Sequence, residues 1–162
     1  MLTSNSWVFI LTLLATLGCG VVAGLLFAFS NFVMQALSRL PNEQGIAAMQ
    51  AINITIINPL FMLFFLGTAA LCVAQIILSI PNLPARGATF AILGSVLYLA
   101  GTLGVTMICN VPMNNRLEKV DPNDSNAYWA EYISGWMRWN HVRTIAAIAA
   151  SVAFMLALSS NG

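Results

Sequence analysis

A chain of 162 residues that is 59% hydrophobic and 7% charged, with a formal net charge of +1, is not an ordinary soluble domain, in which about 25% of residues carry charge. Its mean hydropathy of +0.85 assigns it to the integral membrane class. The near-balanced charge by itself says nothing about nucleic acid, but there is no basic stripe that could track phosphates, so no nucleic-acid partner is expected.

Charges interrupt the chain at Arg39 and Glu43, at Arg86, and from Arg116 to Glu131. The runs between them each exceed the about 20 residues that a helix needs to cross a bilayer. The reading is one all-α membrane domain spanning 1–162, an up-down bundle of four transmembrane helices at about 7–37, 43–80, 86–110 and 125–158. The first six residues carry no basic side chain and the following apolar run is too long for a signal-peptide core, so the first segment is expected to be retained. Cys19, Cys72 and Cys109 lie in three different spans without a C-x-x-C pair, which reads as apolar packing rather than a disulfide or metal cage.

In the first segment Gly20, Gly24 and Ala28 form a small-residue row suited to close helix approach. Ser30 and Asn31 near its end are polar groups still inside the helix, and Pro41-Asn42 before Glu43 suits the next helix start. The second segment is too long for one straight span, and a kink is expected near Asn58-Pro59. Its polar residues, Gln50, Asn53, Thr55 and Asn58, precede Pro59, and an almost wholly apolar run follows. The third segment is slimmed by Gly94, Gly101 and Gly104 and is expected to break around Asn110, because Pro112 disfavours a helical Val111. The fourth places Trp129, Trp136, Arg138, Trp139, Asn140, His141 and Arg143 in its first half, and only Ser151 interrupts the apolar second half.

Taken with chain direction, the end of segment one, the start of two, the end of three and the start of four are the polar ends, and an up-down bundle gathers them on one side. Helices that overrun the bilayer there would form a partly solvated half-bundle with a pocket between facing helices. The first and third loops carry Arg39, Arg116 and Lys119 against Arg86 on the other side, which places both termini outside.

Trp136, Asn140 and Arg143 recur at i, i+4 and i+7 on one helical face, with His141 about 100° round from Asn140. An interfacial belt with snorkelling arginines accounts for Trp129, Arg138 and Trp139. Asn140, His141 and Arg143 beside an apolar run are costly unless they face inward with partners, and Asn53, Asn58, Asn110 and Asn114 are the neutral groups available. These amides are either a site or interhelical glue. One histidine and no acidic residue inside a span leave too few ligands for zinc or a di-iron centre. Haem or copper held through His141, with Met137 at i−4, stays as an alternative to a site without cofactor.

The runs G-L-L-F-A-F-S at 24–30, M-Q-A-I-N at 49–53, N-P-L-F at 58–61, N-V-P-M-N-N at 110–115 and W-M-R-W-N-H-V-R-T at 136–144 resemble those of the anthrone oxygenase-like membrane family. The resemblance implies a four-helix enzyme that oxidises a lipophilic aromatic of the anthrone or hydroquinone kind with O₂ and without an evident cofactor. On that reading His141 is the base, and Arg143 with Asn140, Asn110 and Asn114 stabilises the anion. Trp136 and Trp139 offer flat faces, while Ser30, Asn31, Asn53 and Asn58 complete the substrate-binding set. The partners expected are the aromatic substrate, O₂, the bilayer and a second copy of the chain. The opposing expectation is a non-catalytic ligand carrier or partner subunit.

Overall fold

In a computed structural model, residues 4–121 and 126–160 are described, and they contain helices and turns without a strand. The first span starts as α1 (Ser4–Ala28), passes through a π-helical turn at Phe29–Val33 and closes as α2 (Met34–Leu37). After a tight turn come α3 (Asn42–Thr55) and α4 (Pro59–Ser79). The third span begins as α5 (Arg86–Val96), widens into π-helical stretches at Leu97–Gly104 and Thr106–Asn110, and ends as α6 (Val111–Leu117). The fourth is one long helix, α7 (Asn126–Ser159), whose 34 residues would measure about 51 Å at about 1.5 Å each. Four stretches, Ser6–Leu37, Pro59–Asn82, Arg86–Leu117 and Tyr128–Ser159, are long and apolar enough to cross a membrane. The four-helix all-α architecture expected from the sequence is therefore present.

Three local expectations are corrected. Segment two is broken rather than kinked: Asn58 is extended, with φ −123° and ψ 159°, and its Oδ1 accepts from the Phe61 N–H at 3.0 Å. Pro59 forces the preceding residue out of the helical region, and an asparagine there caps the new helix, so two local preferences agree on a stop and a restart. Segment three does not end at Asn110 but runs to Leu117. Its π-helical turns shift the hydrogen-bond register, and Pro112 falls in the first turn of α6, where a missing N–H costs little. In the first span the tight approach is at Gly18, where a Cβ would collide with the Thr68 side chain; a Cβ on Gly24 would meet nothing within 4 Å.

Two cores stack along the bundle axis. The apolar one joins Ala15, Cys19, Val22, Leu26, Phe65, Cys72, Tyr98, Ala150 and Phe154 from all four spans. It is sealed by close approach, since a Cβ on Gly101 would lie 2.5 Å from Ala146 Cβ and one on Gly94 would lie 3.1 Å from the Ala150 carbonyl. The second core joins Met34, Leu37, Ile46, Met49, Leu117, Trp129, Tyr132 and Trp136. These come from the end of the first span, α3, the end of the third and the start of the fourth, the ends that the sequence expected to meet. Gln50 ties α3 in place, its Nε2 donating to the carbonyls of Leu117 at 2.9 Å and Val120 at 3.1 Å.

Candidate functional site

The site is built outward from Asn140, which is fully buried on α7. Its Nδ2 donates to the Leu26 carbonyl at 2.9 Å and to Ser30 Oγ at 2.7 Å, binding the first span to the fourth. Its Oδ1 accepts from Arg143 Nε at 3.0 Å. Arg143 is 8% exposed, and its Nη1 donates to Thr106 Oγ1 on the third span at 3.3 Å. The guanidinium carbon lies 4.9 Å from the Trp136 ring centroid, a cation–π contact. Thr102 Oγ1 donates to the Arg143 carbonyl at 3.2 Å, fastening the same turn of α7 from the other side.

Among the described residues, the side-chain hydrogen-bond partners of Arg143, Asn140 Oδ1 and Thr106 Oγ1, are neutral. Among the described residues the ion pair of the molecule is Arg116 with Glu131 at 3.7 Å, both of them exposed. A guanidinium buried without a carboxylate loses hydration that neutral amides and hydroxyls replace only in part. Arg143 is thus a buried cation held, among the described residues, by neutral groups and an aromatic face.

The aromatic floor beneath it is fixed by one amide. Asn114 Oδ1 accepts from both Tyr132 OH and Trp136 Nε1, each at 2.9 Å, and Phe29 leans on Trp136 with ring centroids 5.5 Å apart. Trp136 thus has its N–H engaged and a ring face covered by Arg143. Asn110, fully buried, donates from Nδ2 to the Trp136 carbonyl at 3.3 Å, while its Oδ1 has no partner. Asn53 Nδ2 is buried beside Tyr132 without a well-formed hydrogen bond. Buried polar atoms without a well-formed hydrogen bond are expensive features of a packed interior. They are the groups that a polar ligand would satisfy.

His141 stands on the other side of Asn140. It is exposed at the surface of the bundle, with Nδ1 3.0 Å from Ser30 Oγ. Ser30 also contacts Thr144 Oγ1 at 3.2 Å, so a continuous hydrogen-bonded path runs from His141 through Ser30 and Asn140 to Arg143.

The structure thus brings together Ser30, Asn53, Asn110, Asn114, Trp136, Asn140, His141 and Arg143. It does not bring in Asn58, which is exposed and spends its Oδ1 on the cap of α4 and its Nδ2 on the Thr55 and Ile56 carbonyls. Asn31 is exposed on the first span, and Trp139, 37% exposed, stands at the edge of the buried stripe of α7. Met137 packs against the aromatic core, and among the described residues no three of His, Cys, Asp and Glu group as metal ligands. Sequence reasoning missed Thr102, Thr106, Tyr132 and Thr144. The first two had a signal: Thr102, Thr106 and Asn110 recur every four residues along one span.

The expected open hollow is corrected as well. The polar ends meet, but in closely packed form, and a cavity of about 650 Å³ lies instead at the opposite end, lined by Phe9, Thr12, Ser79, Asn82 and Ala157 among others. Beside the aromatic floor a smaller cavity of about 250 Å³ is lined by Pro112, Met113, Arg116, Tyr128, Glu131 and Tyr132. The reason is side-chain volume: Trp129, Tyr132 and Trp136 fill the space that splayed helices leave.

No curated protein and no solved structure matches the chain. The family model described as anthrone oxygenase matches residues 60–153, which contain Thr106, Asn110, Asn114, Trp136, Asn140, His141 and Arg143. With more than half of its length matched and four apolar helices long enough to span a membrane, this chain belongs to the anthrone oxygenase family and is a multi-pass membrane protein of oxygenase-like function.

Proposed function

We propose that the protein oxidises a lipophilic aromatic of the anthrone or hydroquinone kind with O₂, and that Arg143 holds the oxyanion formed on the way. The observation that carries this reading is the buried guanidinium whose partners are all neutral. A preorganised donor in a dry site is worth most where negative charge develops, and the charge developed by a deprotonated anthrone is an enolate oxygen. Asn110 and Asn53, each with one unpaired buried atom, supply further donors and acceptors around the substrate oxygens.

In this reading His141 takes a proton from the ring methylene or hydroxyl. The resulting anion passes an electron to O₂, and the radical pair collapses to a peroxide at carbon. Loss of the remaining C–H proton with O–O cleavage then gives a ketone and water. The overall change is CH₂ plus O₂ to C=O plus H₂O, in which the substrate supplies all four electrons and no prosthetic group is required. Substrate entering from the bilayer would pass the 250 Å³ cavity beside Tyr132. That volume is below the range of about 300–1,000 Å³ of ligand sites, so Met113 and Tyr132 must move aside to admit a ring. Arg39, Arg116 and Lys119 lie at the site end against Arg86 at the other, a bias that supports a site on the cytoplasmic side with both termini outside.

Oxygen uptake by the purified protein with a reduced anthrone tests the reading. Arg143→Met should lower kcat by about 100-fold to 1,000-fold, the cost of removing one oxyanion donor. Its effect on thermal stability should stay within about 1–3 kcal/mol, because relief of a buried charge offsets the partner lost by Asn140 Oδ1. Binding of the anthrone without oxygen uptake by the unmodified protein would establish a carrier instead.

A further inference from the structure

The hydrogen-bond count around Ser30 specifies which nitrogen of His141 is free, and it does so without reference to any substrate. Arg143 Nε can only donate and lies 3.0 Å from Asn140 Oδ1, whereas the Leu26 carbonyl can only accept and lies 2.9 Å from Asn140 Nδ2. The Asn140 amide therefore cannot be turned over. Its second Nδ2 hydrogen goes to Ser30 Oγ at 2.7 Å. Thr144 gives its single hydroxyl hydrogen to the Asn140 carbonyl, also at 2.7 Å, and so presents only lone pairs to Ser30 Oγ at 3.2 Å.

The hydrogen between those two hydroxyl oxygens must then come from Ser30, and a serine has only one. What remains on Ser30 is a lone pair, and facing it at 3.0 Å is His141 Nδ1, which must bring the hydrogen itself. In the reverse arrangement, with Ser30 donating to the ring, the Ser30 and Thr144 oxygens would face each other lone pair to lone pair. The π-helical turn Phe29–Val33 carries Ser30 into this four-way junction, in keeping with the use of such turns to place functional side chains.

We propose that Ser30 is a positioning residue that holds neutral His141 as its Nδ1–H tautomer and so presents Nε2 as the basic nitrogen. The assignment rests on the reading of His141 as the base. Within it, Ser30 acts through the histidine rather than on substrate, and Asn140 and Thr144 act through Ser30. The junction also joins the two charge-handling groups: the amide that orients Arg143 with its oxygen orients Ser30 with its nitrogen.

The protein has a single histidine, so selective ¹⁵N labelling of histidine in the full chain reports one imidazole without assignment. The unmodified protein with its imidazole neutral should show a protonated Nδ1 and an unprotonated Nε2. Ser30→Ala should give a mixture of both tautomers, with kcat lowered about 10-fold and KM within about twofold, since general-base catalysis depends on the tautomer presented. Ser30→Thr, which keeps the hydroxyl, should restore both the spectrum and the rate. A ring protonated at Nε2 in the unmodified protein overturns the proposal, as does Ser30→Ala with unchanged signals and rate. A protonated Nδ1 with no oxygen uptake by the unmodified protein overturns the oxygenase reading and leaves the tautomer assignment standing.

Discussion

The two halves of α7 use one buried stripe in opposite ways. Trp129, Tyr132, Trp136, Asn140, Arg143, Ala147, Ala150, Phe154 and Ala157, spaced three or four residues apart, are all buried. Before Thr144 the stripe is aromatic and polar, and its contacts to the other spans include hydrogen bonds donated to Asn114, Ser30 and Thr106 and one accepted from Asn110. After Thr144 it is mostly alanine, and Gly94 and Gly101 of the third span press against it. Small residues let backbones meet and gain dispersion along the whole contact. Large residues hold helices apart and leave room for polar groups that need partners. The comparison teaches that one half of the bundle is held by close backbone approach, while the other is held by polar ties among large side chains; buried polar atoms without a partner occur in both, Gln75 Oε1 in the first and Asn53 Nδ2, Asn110 Oδ1 and Trp129 Nε1 in the second.

The largest effect should come from disrupting the close-packed half. Gly18→Val places a branched side chain where even a Cβ collides with Thr68, itself buried. Neither backbone can retreat without opening the contact between the first two spans, so the loss should be about 3 kcal/mol or more. Thermal unfolding in detergent would read it, and oxygen uptake per folded molecule should not change. An equal loss of rate in the folded fraction would mean that the apolar half also shapes the site.

A smaller loss of stability and a larger loss of function should follow from Asn140→Ala. The substitution leaves Arg143 Nε, Ser30 Oγ and the Leu26 carbonyl each short of a partner. Buried polar groups left unpaired cost about 1–3 kcal/mol. A guanidinium freed from its orienting amide should also lower kcat by about 100-fold, the lower end for loss of an oriented oxyanion donor. The contrast with Gly18→Val is the measurement: stability and rate should separate between the two halves. If Asn140→Ala changed both in step, through loss of folded protein alone, Asn140 would be only a tie between helices.

Much of this division was legible in the sequence, because charge is so scarce that each polar residue marks a place. The four spans followed from the charged interruptions, and Trp136, Asn140 and Arg143 shared a face by simple periodicity. The break at Asn58-Pro59 was visible as a disturbance but misjudged, since capping by the Asn58 side chain turned a kink into two helices. The π-helical turns were not legible at all. They are register shifts selected by packing against α7, with no residue signature, and they carry Ser30, Thr102, Thr106 and Asn110. The exposure of Asn31 and Asn58, and the burial of Trp129 where an interfacial belt was expected, were hidden for a related reason: a step of one residue turns the helix by about 100°, and composition alone cannot say which way.

The smallest predicted effect probes the comparison from within the apolar half. Tyr98 is fully buried there, its OH donating to the Phe65 carbonyl at 2.9 Å, with ring centroids 6.4 Å apart. Tyr98→Phe removes that hydrogen bond and keeps the ring, so every helix contact made by shape survives. Interhelical hydrogen bonds in membranes average about 0.6 kcal/mol, and the loss in thermal stability should be of that order, with oxygen uptake unchanged. The Phe65 carbonyl keeps the option of its own helical bond, which is why the penalty stays below that of an orphaned amide. A loss of about 2 kcal/mol would place Tyr98 beside Asn140 in energetic weight. The apolar half would then depend on polar ties as heavily as the site does, and close packing could no longer be what distinguishes the two.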